Sequence, residues 1–147
     1  MADKILVITG PTASGKTALS EILAEKFGGE IVGADSMQIY RHMDIGTAKP
    51  TSAEMGDTPH HMIDFLEPYE SYSVSRYVQD ASAAVDGIIS RGKLPIVVGG
   101  TGLYIDSLIS GLDFLSDGSH SGVRDLYCRM YDSAGGEAMI EKLSEFD

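Results

Sequence analysis

Short, continuously apolar runs alternate with longer stretches whose apolar residues recur every three or four positions. Ile5-Leu6-Val7-Ile8, Glu30-Ile31-Val32-Gly33-Ala34 and Leu94-Pro95-Ile96-Val97-Val98 read as strands buried on both faces; Pro95 is tolerable at a strand's start. Between them, Leu19, Ile22, Leu23 and Phe27 share one helical face. Val78, Ala81, Val85 and Ile88 form a second stripe within a helix from Val74 to Arg91, ended by Gly92. Leu103, Leu108 and Ile109 predict a short helix after the third run. Val123, Leu126, Tyr127, Met130 and Tyr131 predict another, and Met139, Ile140, Leu143 and Phe146 a last one. Residues 39–73 have no sustained period and contain Gly46, Pro50, Gly56, Pro59 and Pro68. They predict a long, mostly irregular excursion, a kind of loop that is usually functional.

Strand, helix and strand in this order predict an α/β fold with a parallel sheet wrapped by helices. Its right-handed crossovers bring the strand ends to one edge. The predicted organisation is an α/β core over residues 1–115, a hinge at 116–122 (Ser-Asp-Gly-Ser-His-Ser-Gly) and a helical pair over 123–147. Three strands leave the first at an edge, and a bare apolar parallel edge is a liability. The expectation is that further strands come from a C-terminal portion outside these residues.

A chain of 147 residues, 43% of them hydrophobic, can bury one core without staples. The single cysteine, Cys128, cannot form an internal disulfide and is expected half-buried on a helix. No apolar run approaches the length of a membrane span, so a cytoplasmic protein with no membrane contact is expected. The formal net charge of −11, from 11 basic and 22 acidic residues, repels polyanions on average. A nucleic-acid partner would need a local basic patch or a basic segment elsewhere.

The strongest chemical signal is Gly10-Pro11-Thr12-Ala13-Ser14-Gly15-Lys16-Thr17, which fits the phosphate-loop pattern G-x-x-x-x-G-K-[ST] and lies between a strand and a helix. The glycines let successive N–H groups converge on an anion at the helix's positive end. Lys16 adds a point charge, and Thr17 can offer its hydroxyl to Mg²⁺. Ordinary nucleoside triphosphatases carry a metal-binding acid at a neighbouring strand end, but the third strand here runs into Gly99-Gly100-Thr101-Gly102. Asp35, after the second strand, is the remaining carboxylate at a strand end near the loop. It would hold the metal, act as a base, or merely cap the turn that follows.

Beyond the phosphate loop, Ala34-Asp35-Ser36-Met37-Gln38-Ile39-Tyr40-Arg41, Met43-Asp44-Ile45-Gly46-Thr47-Ala48-Lys49-Pro50, His60-His61-Met62-Ile63-Asp64, Tyr72-Ser73-Val74 and Val98-Gly99-Gly100-Thr101-Gly102-Leu103-Tyr104 follow in order. Over residues 4 to about 112 this sequence closely resembles the tRNA dimethylallyltransferases, and more weakly beyond. The resemblance implies a P-loop NTPase-like core and transfer of a dimethylallyl group from dimethylallyl diphosphate to N6 of the adenosine 3′-adjacent to the anticodon. It implies that the loop and Lys16 hold a diphosphate leaving group, that Thr17 aids Mg²⁺ and that Asp35 is the general base. Thr101 and the segment Asp35, Ser36, Met37 and Gln38 would contact the flipped-out adenine, and Arg124 the RNA backbone. The partners implied are the tRNA anticodon stem-loop and dimethylallyl diphosphate; no protein partner is expected. Family members are considerably longer, and an arginine-rich segment of theirs lies outside this sequence.

Two other readings stand beside this one: a small-molecule or nucleoside kinase with the same loop, and a truncated phosphate-binding domain without activity. A related enzyme acting on free adenine nucleotides shares the core. His60 and His61 are neighbours that point opposite ways in an extended segment, so they read as structural anchors rather than a shared metal site. Asp44, Thr47 and Lys49 could line a substrate mouth or form an exposed polar loop. Tyr69, Tyr72 and Tyr77 read as residues packed against the core rather than RNA contacts.

Overall fold

The computed structural model describes residues 4–110 and 121–145, without the side chains of Ser121, Val123 and Arg124. Four strands form one parallel sheet in the order β1-β4-β2-β3: β1 (Leu6–Thr9), β2 (Gly29–Gly33), β3 (His60–His61) and β4 (Leu94–Gly99). The helices are α1 (Lys16–Phe27), α2 (Ser52–Met55), α3 (Val74–Ser90), α4 (Gly102–Ser110) and α5 (Ser121–Leu143). As expected from the sequence, β1 is an edge strand; the central β4 pairs with both β1 and β2.

Alternation along the strands assigns the two faces. Ile31 and Ile96, with Leu6, Ile8 and Val98, pack on one face against Ala24 and Leu23 of α1. Val32, Ala34 and Val97 pack on the other face against Tyr77, Ala81, Val85 and Ile88 of α3 and Tyr104 and Ile105 of α4. Tyr77 and Tyr104 stack at 4.0 Å, and the Tyr77 hydroxyl donates to the Gly33 carbonyl. Burial pushes both phenol pKa values up.

Helix α3 follows the sequence stripe closely. Its N-cap Ser73 accepts from Arg76 N–H, and Gly92 just beyond it has φ 71°. In α1 the stripe is displaced. The buried residues are Ser20 and Ala24, whose small side chains let the helix approach the sheet closely, while Leu19, Ile22 and Phe27 are exposed. In α4, Leu103 and Ile109 are exposed and Tyr104, Ile105 and Ser107 are buried.

The excursion over residues 39–73 is more ordered than its sequence predicts. It contains α2, closed by a Thr51–Glu54 capping box, the two-residue β3, and a parallel bridge between Tyr40 and Leu66. The sheet therefore has four strands among the described residues where the apolar pattern predicts three. Strand β3 has no apolar run to announce it; it is held by pairing of His60 with Ile31 and His61 with Val32.

Each histidine anchors β3 separately. His60 Nε2 lies 2.7 Å from Glu21 of α1, and His61 Nε2 lies 2.7 Å from Glu30 of β2. Glu30 is buried and also receives Arg91 Nη2 at 2.7 Å. The Arg91 hydrogen bond leads the effects on Glu30, and with His61 it overcomes burial, holding the carboxyl below its usual pKa. A carboxylate with a lowered folded-state pKa stabilises the fold above its unfolded value and loses that contribution as pH falls through the folded value. Arg91→Met removes the leading interaction, so its acid-unfolding midpoint, followed by circular dichroism, is expected at higher pH than that of the parent chain.

The chain divides into two compact units, Met1–Leu112 and Asp113–Asp147. In the second, α5 begins at Ser121, so Ser121 and Gly122 are helical rather than part of the predicted hinge; residues 116–120 lie outside the described residues. Non-helical angles at Gly135 break α5 between the two helical patterns seen in the sequence. Cys128 is exposed rather than half-buried. Among the described residues no helix is long and apolar enough to cross a membrane.

Candidate active site

The strand ends carry the chemistry. Between β1 and α1 the phosphate loop turns through Gly10 at φ 152°, Ala13 at φ 63° and Gly15 at φ 84°. Gly15 is the N-cap of α1 and supplies no side-chain cap, so the N–H groups of the first turn face the loop. Lys16 Nζ donates to the carbonyls of Gly10 and Pro11 at 2.7 and 2.6 Å, which holds the ammonium over the loop.

A cleft of about 740 Å³ opens against this loop. Thr12, Ala13, Ser14, Gly15, Lys16 and Thr17 form one wall, Gly99 and Gly100 contribute from the end of β4, and Asp35 and Gln38 from the turn after β2. A third wall, Thr47, Ala48, Lys49 and Pro50, comes from the excursion. Strands β1 and β2 flank β4, so the loop and Asp35 are rooted two strand spacings apart, roughly 10 Å. That gap can admit a donor between them.

Asp35 both lines this cleft and caps its own turn: Oδ1 accepts from the N–H groups of Met37 at 2.9 Å and Gln38 at 3.4 Å. Both of its hydrogen bonds fall on Oδ1, so the turn fixes the carboxylate's orientation through one oxygen. Thr101 supports the turn from the other side. Its Oγ1 accepts from Ser36 N–H at 3.0 Å, and its own N–H donates to the Ala34 carbonyl at 3.1 Å. Thr101, Ser36 and Met37 are therefore beside the cleft rather than in its lining, with Met37 exposed. Gln38 Nε2 donates to the carbonyls of Thr47 and Ala48 at 3.0 and 3.1 Å, so its amide ties the third wall to the Asp35 turn. The Arg124 side chain lies outside the described residues.

Lining residues to which the sequence assigns no site role are Ala18, Glu21, Ile22, Pro50, Glu54 and Val98. A helical period could place Ala18, Glu21 and Ile22 on the loop-facing side of α1, but nothing local brings Glu54 there. Lys49 lines the cleft with its side chain buried and paired to the exposed Asp44 and Asp64, and Ile45 is exposed. Tyr77 is a core residue. Tyr72 packs edge-on against Phe65 and donates to Asp80, and Tyr69 is exposed rather than packed.

A phosphate loop at one strand end, glycines at the next, and a fixed carboxylate one strand further define an α/β phosphate-loop protein whose acid faces the anion site across a cleft. A sequence model of IPP transferase matches residues 38–147, and one of isopentenyl transferase matches residues 3–69. The chain belongs to the IPP transferase family. It is 48% identical over 147 residues to the tRNA dimethylallyltransferase of Caldanaerobacter subterraneus subsp. tengcongensis, covering all of this chain and 47% of that one. The crystal structure of the full-length tRNA isopentenylpyrophosphate transferase from Bacillus halodurans superposes with a TM-score of 0.75 at 42% identity, covering 99% of this chain and 48% of that one. A eukaryotic dimethylallyltransferase acting on tRNA gives a TM-score of 0.71 at 41% identity, over 73% of this chain and 27% of that one. The chain thus spans about half the length of the curated relatives it matches.

Proposed function

We propose that this chain carries the donor site and general base of an enzyme that transfers a dimethylallyl group from dimethylallyl diphosphate to N6 of the adenosine next to the anticodon in tRNA. The observation that carries the reading is Asp35 lining the same cleft as the phosphate loop. The relatives' names supply the substrate class.

In this reaction the bond between the allyl carbon and the diphosphate oxygen breaks, and its electron pair leaves with the diphosphate. The loop N–H groups and Lys16 hold that growing charge. The adenine N6 forms the new bond to carbon and gives its proton to the Asp35 carboxylate. The amine becomes acidic only as it alkylates, and a carboxylate can take its proton at that stage. Thr101, through Ser36, keeps the acid's turn in place; Met37 and Gln38 border the acceptor's approach.

The donor set suits Mg²⁺ held mostly by water and diphosphate oxygens. Thr17 and Asp35 both line the cleft, and among the described residues no cluster of three or more His, Cys, Asp or Glu could replace such ligands. Bound there through Thr17, the ion would supply charge neutralisation on the leaving group. Helix α5 begins the part that meets RNA, with Arg124 on its first turn, and the reaction is cytoplasmic.

The test compares ligands and then products. Dimethylallyl diphosphate at 100 times its dissociation constant is expected to stabilise the protein by about 2.7 kcal/mol in a thermal melt, and Lys16→Ala to abolish that shift. Mass spectrometry of an anticodon stem-loop should then show one prenyl group on the target adenosine. A stronger ATP shift together with phosphorylated small molecules and no prenylated RNA would return the kinase reading.

A further inference from the structure

The excursion that supplies the cleft's third wall is held in a backbone conformation it would not adopt unaided. Among the described residues, four of the five non-glycine residues with positive φ lie here: His42 (63°), Ala48 (51°), Met62 (61°) and Asp64 (55°). Each is in a sparsely populated region that persists only where surrounding contacts over-determine it. Lys49, which directly follows Ala48, contacts one of the four, Asp64, and ties it to two other points of the excursion. Its side chain is 6% exposed, and Nζ donates to the Tyr40 carbonyl at 2.7 Å, Asp44 Oδ1 at 2.7 Å and Asp64 Oδ1 at 2.8 Å. All three donors of the ammonium are thereby occupied. Burial lowers the lysine pKa, but the two carboxylates outweigh it and keep the ammonium charged.

The clamp reaches the site by a short route. Asp64 N–H donates to the Gln38 carbonyl at 3.0 Å, and Gln38 Nε2 holds the Thr47 and Ala48 carbonyls. Thr47 Oγ1 closes the tip on the Met43 carbonyl at 2.6 Å. Asp35 sits three residues before Gln38 and caps its N–H. The strained wall and the acid therefore hang on one hydrogen-bonded frame.

We infer that Lys49, although a cation lining a phosphate-binding cleft, is not a phosphate ligand but a positioning residue: clamped by Asp44, Asp64 and the Tyr40 carbonyl, it presets the wall at Thr47–Pro50 against which the acceptor base is held opposite Asp35. This inference rests on the transfer reaction proposed above. It separates Lys49 from Lys16 by what each ammonium faces.

Three variants test it: Lys49→Met, Lys49→Arg and Asp64→Asn, the last outside the cleft lining. All three are expected to keep the parent's affinity for inorganic pyrophosphate within about twofold. All three should lose about tenfold to a hundredfold in kcat/KM, with the loss carried by the RNA acceptor's KM and not by that of the donor. Lys49→Arg is expected to give no rescue, because a planar fork cannot reproduce three contacts around a compact ammonium. Hydrogen exchange should rise at the amides of residues 43–50 and stay unchanged along α1. A large fall in pyrophosphate affinity in Lys49→Met that Lys49→Arg restores would make Lys49 a phosphate ligand and overturn the inference. So would an unchanged acceptor KM with unchanged exchange. A parent protein that prenylates no RNA overturns the transfer reading itself, and the pyrophosphate and exchange measurements still decide whether Lys49 clamps the wall or binds the anion.

Discussion

Asp35→Asn is expected to lower prenyl transfer by about 10² to 10⁴-fold while leaving diphosphate binding intact. The amide keeps the shape of the carboxylate, and its oxygen can still accept from the N–H groups of Met37 and Gln38, which Asp35 Oδ1 caps at 2.9 and 3.4 Å. The turn, and with it the cleft, should persist; what disappears is the carboxylate proposed to accept the proton from N6. Single-turnover transfer measured beside pyrophosphate titration separates the two effects. If Asp35→Asn transferred the group at the parent's rate, the carboxylate would be only a turn cap. If it lost pyrophosphate as well, Asp35 would act through the metal instead of the amine.

The second large effect is structural. A Cβ built on Gly99 would overlap the carbonyl oxygen and carbon of Ala34 and stand 2.8 Å from its Cα, all backbone atoms that no rotamer change can move aside. Here the end of β4 passes directly beneath the segment leading into Asp35, with Ala34 N–H donating to the Val98 carbonyl and Thr101 N–H to the Ala34 carbonyl. Gly99→Ala is therefore expected to cost about 3 kcal/mol or more. That corresponds to a melting temperature lower by about 10 °C. The variant that still folds should retain pyrophosphate binding and lose transfer, since the segment pushed away carries the acid and not the loop. Gly100→Ala is the control. Its added Cβ would meet nothing closer than the Gly10 carbonyl oxygen at 3.9 Å, so its stability should match the parent's. Equal melting of all three proteins would mean that the close approach at Gly99 is not required.

How much of this can be read without coordinates depends on the range of the interactions involved. The phosphate loop is a local pattern between two local elements, and it is found at the end of β1 as its residues predict. The position of Asp35 follows from topology, because parallel strands joined by right-handed crossovers end on one side of the sheet. Strand β3 is different. Two histidines carry no apolar period, and their strand exists through pairing with Ile31 and Val32 and through carboxylates at Glu21 and Glu30. The clamp at Lys49 is equally silent, since Asp64 lies well beyond any helical or strand repeat. Helix α1 misleads for a third reason. Its period is sound, but close packing selected Ser20 and Ala24 for the sheet and left Leu19, Ile22 and Phe27 outside.

The strand order also sets a timetable for a chain emerging from the ribosome. Strands β1 and β2 are made early, yet neither pairs with the other; β4, which bonds to both, appears only at Leu94. Until then the phosphate loop and Asp35 are joined through α1 alone, with no sheet pairing to fix the distance between them. Among the described strands it is β4, made last, that inserts between two already synthesised and sets the loop and the acid at a fixed spacing.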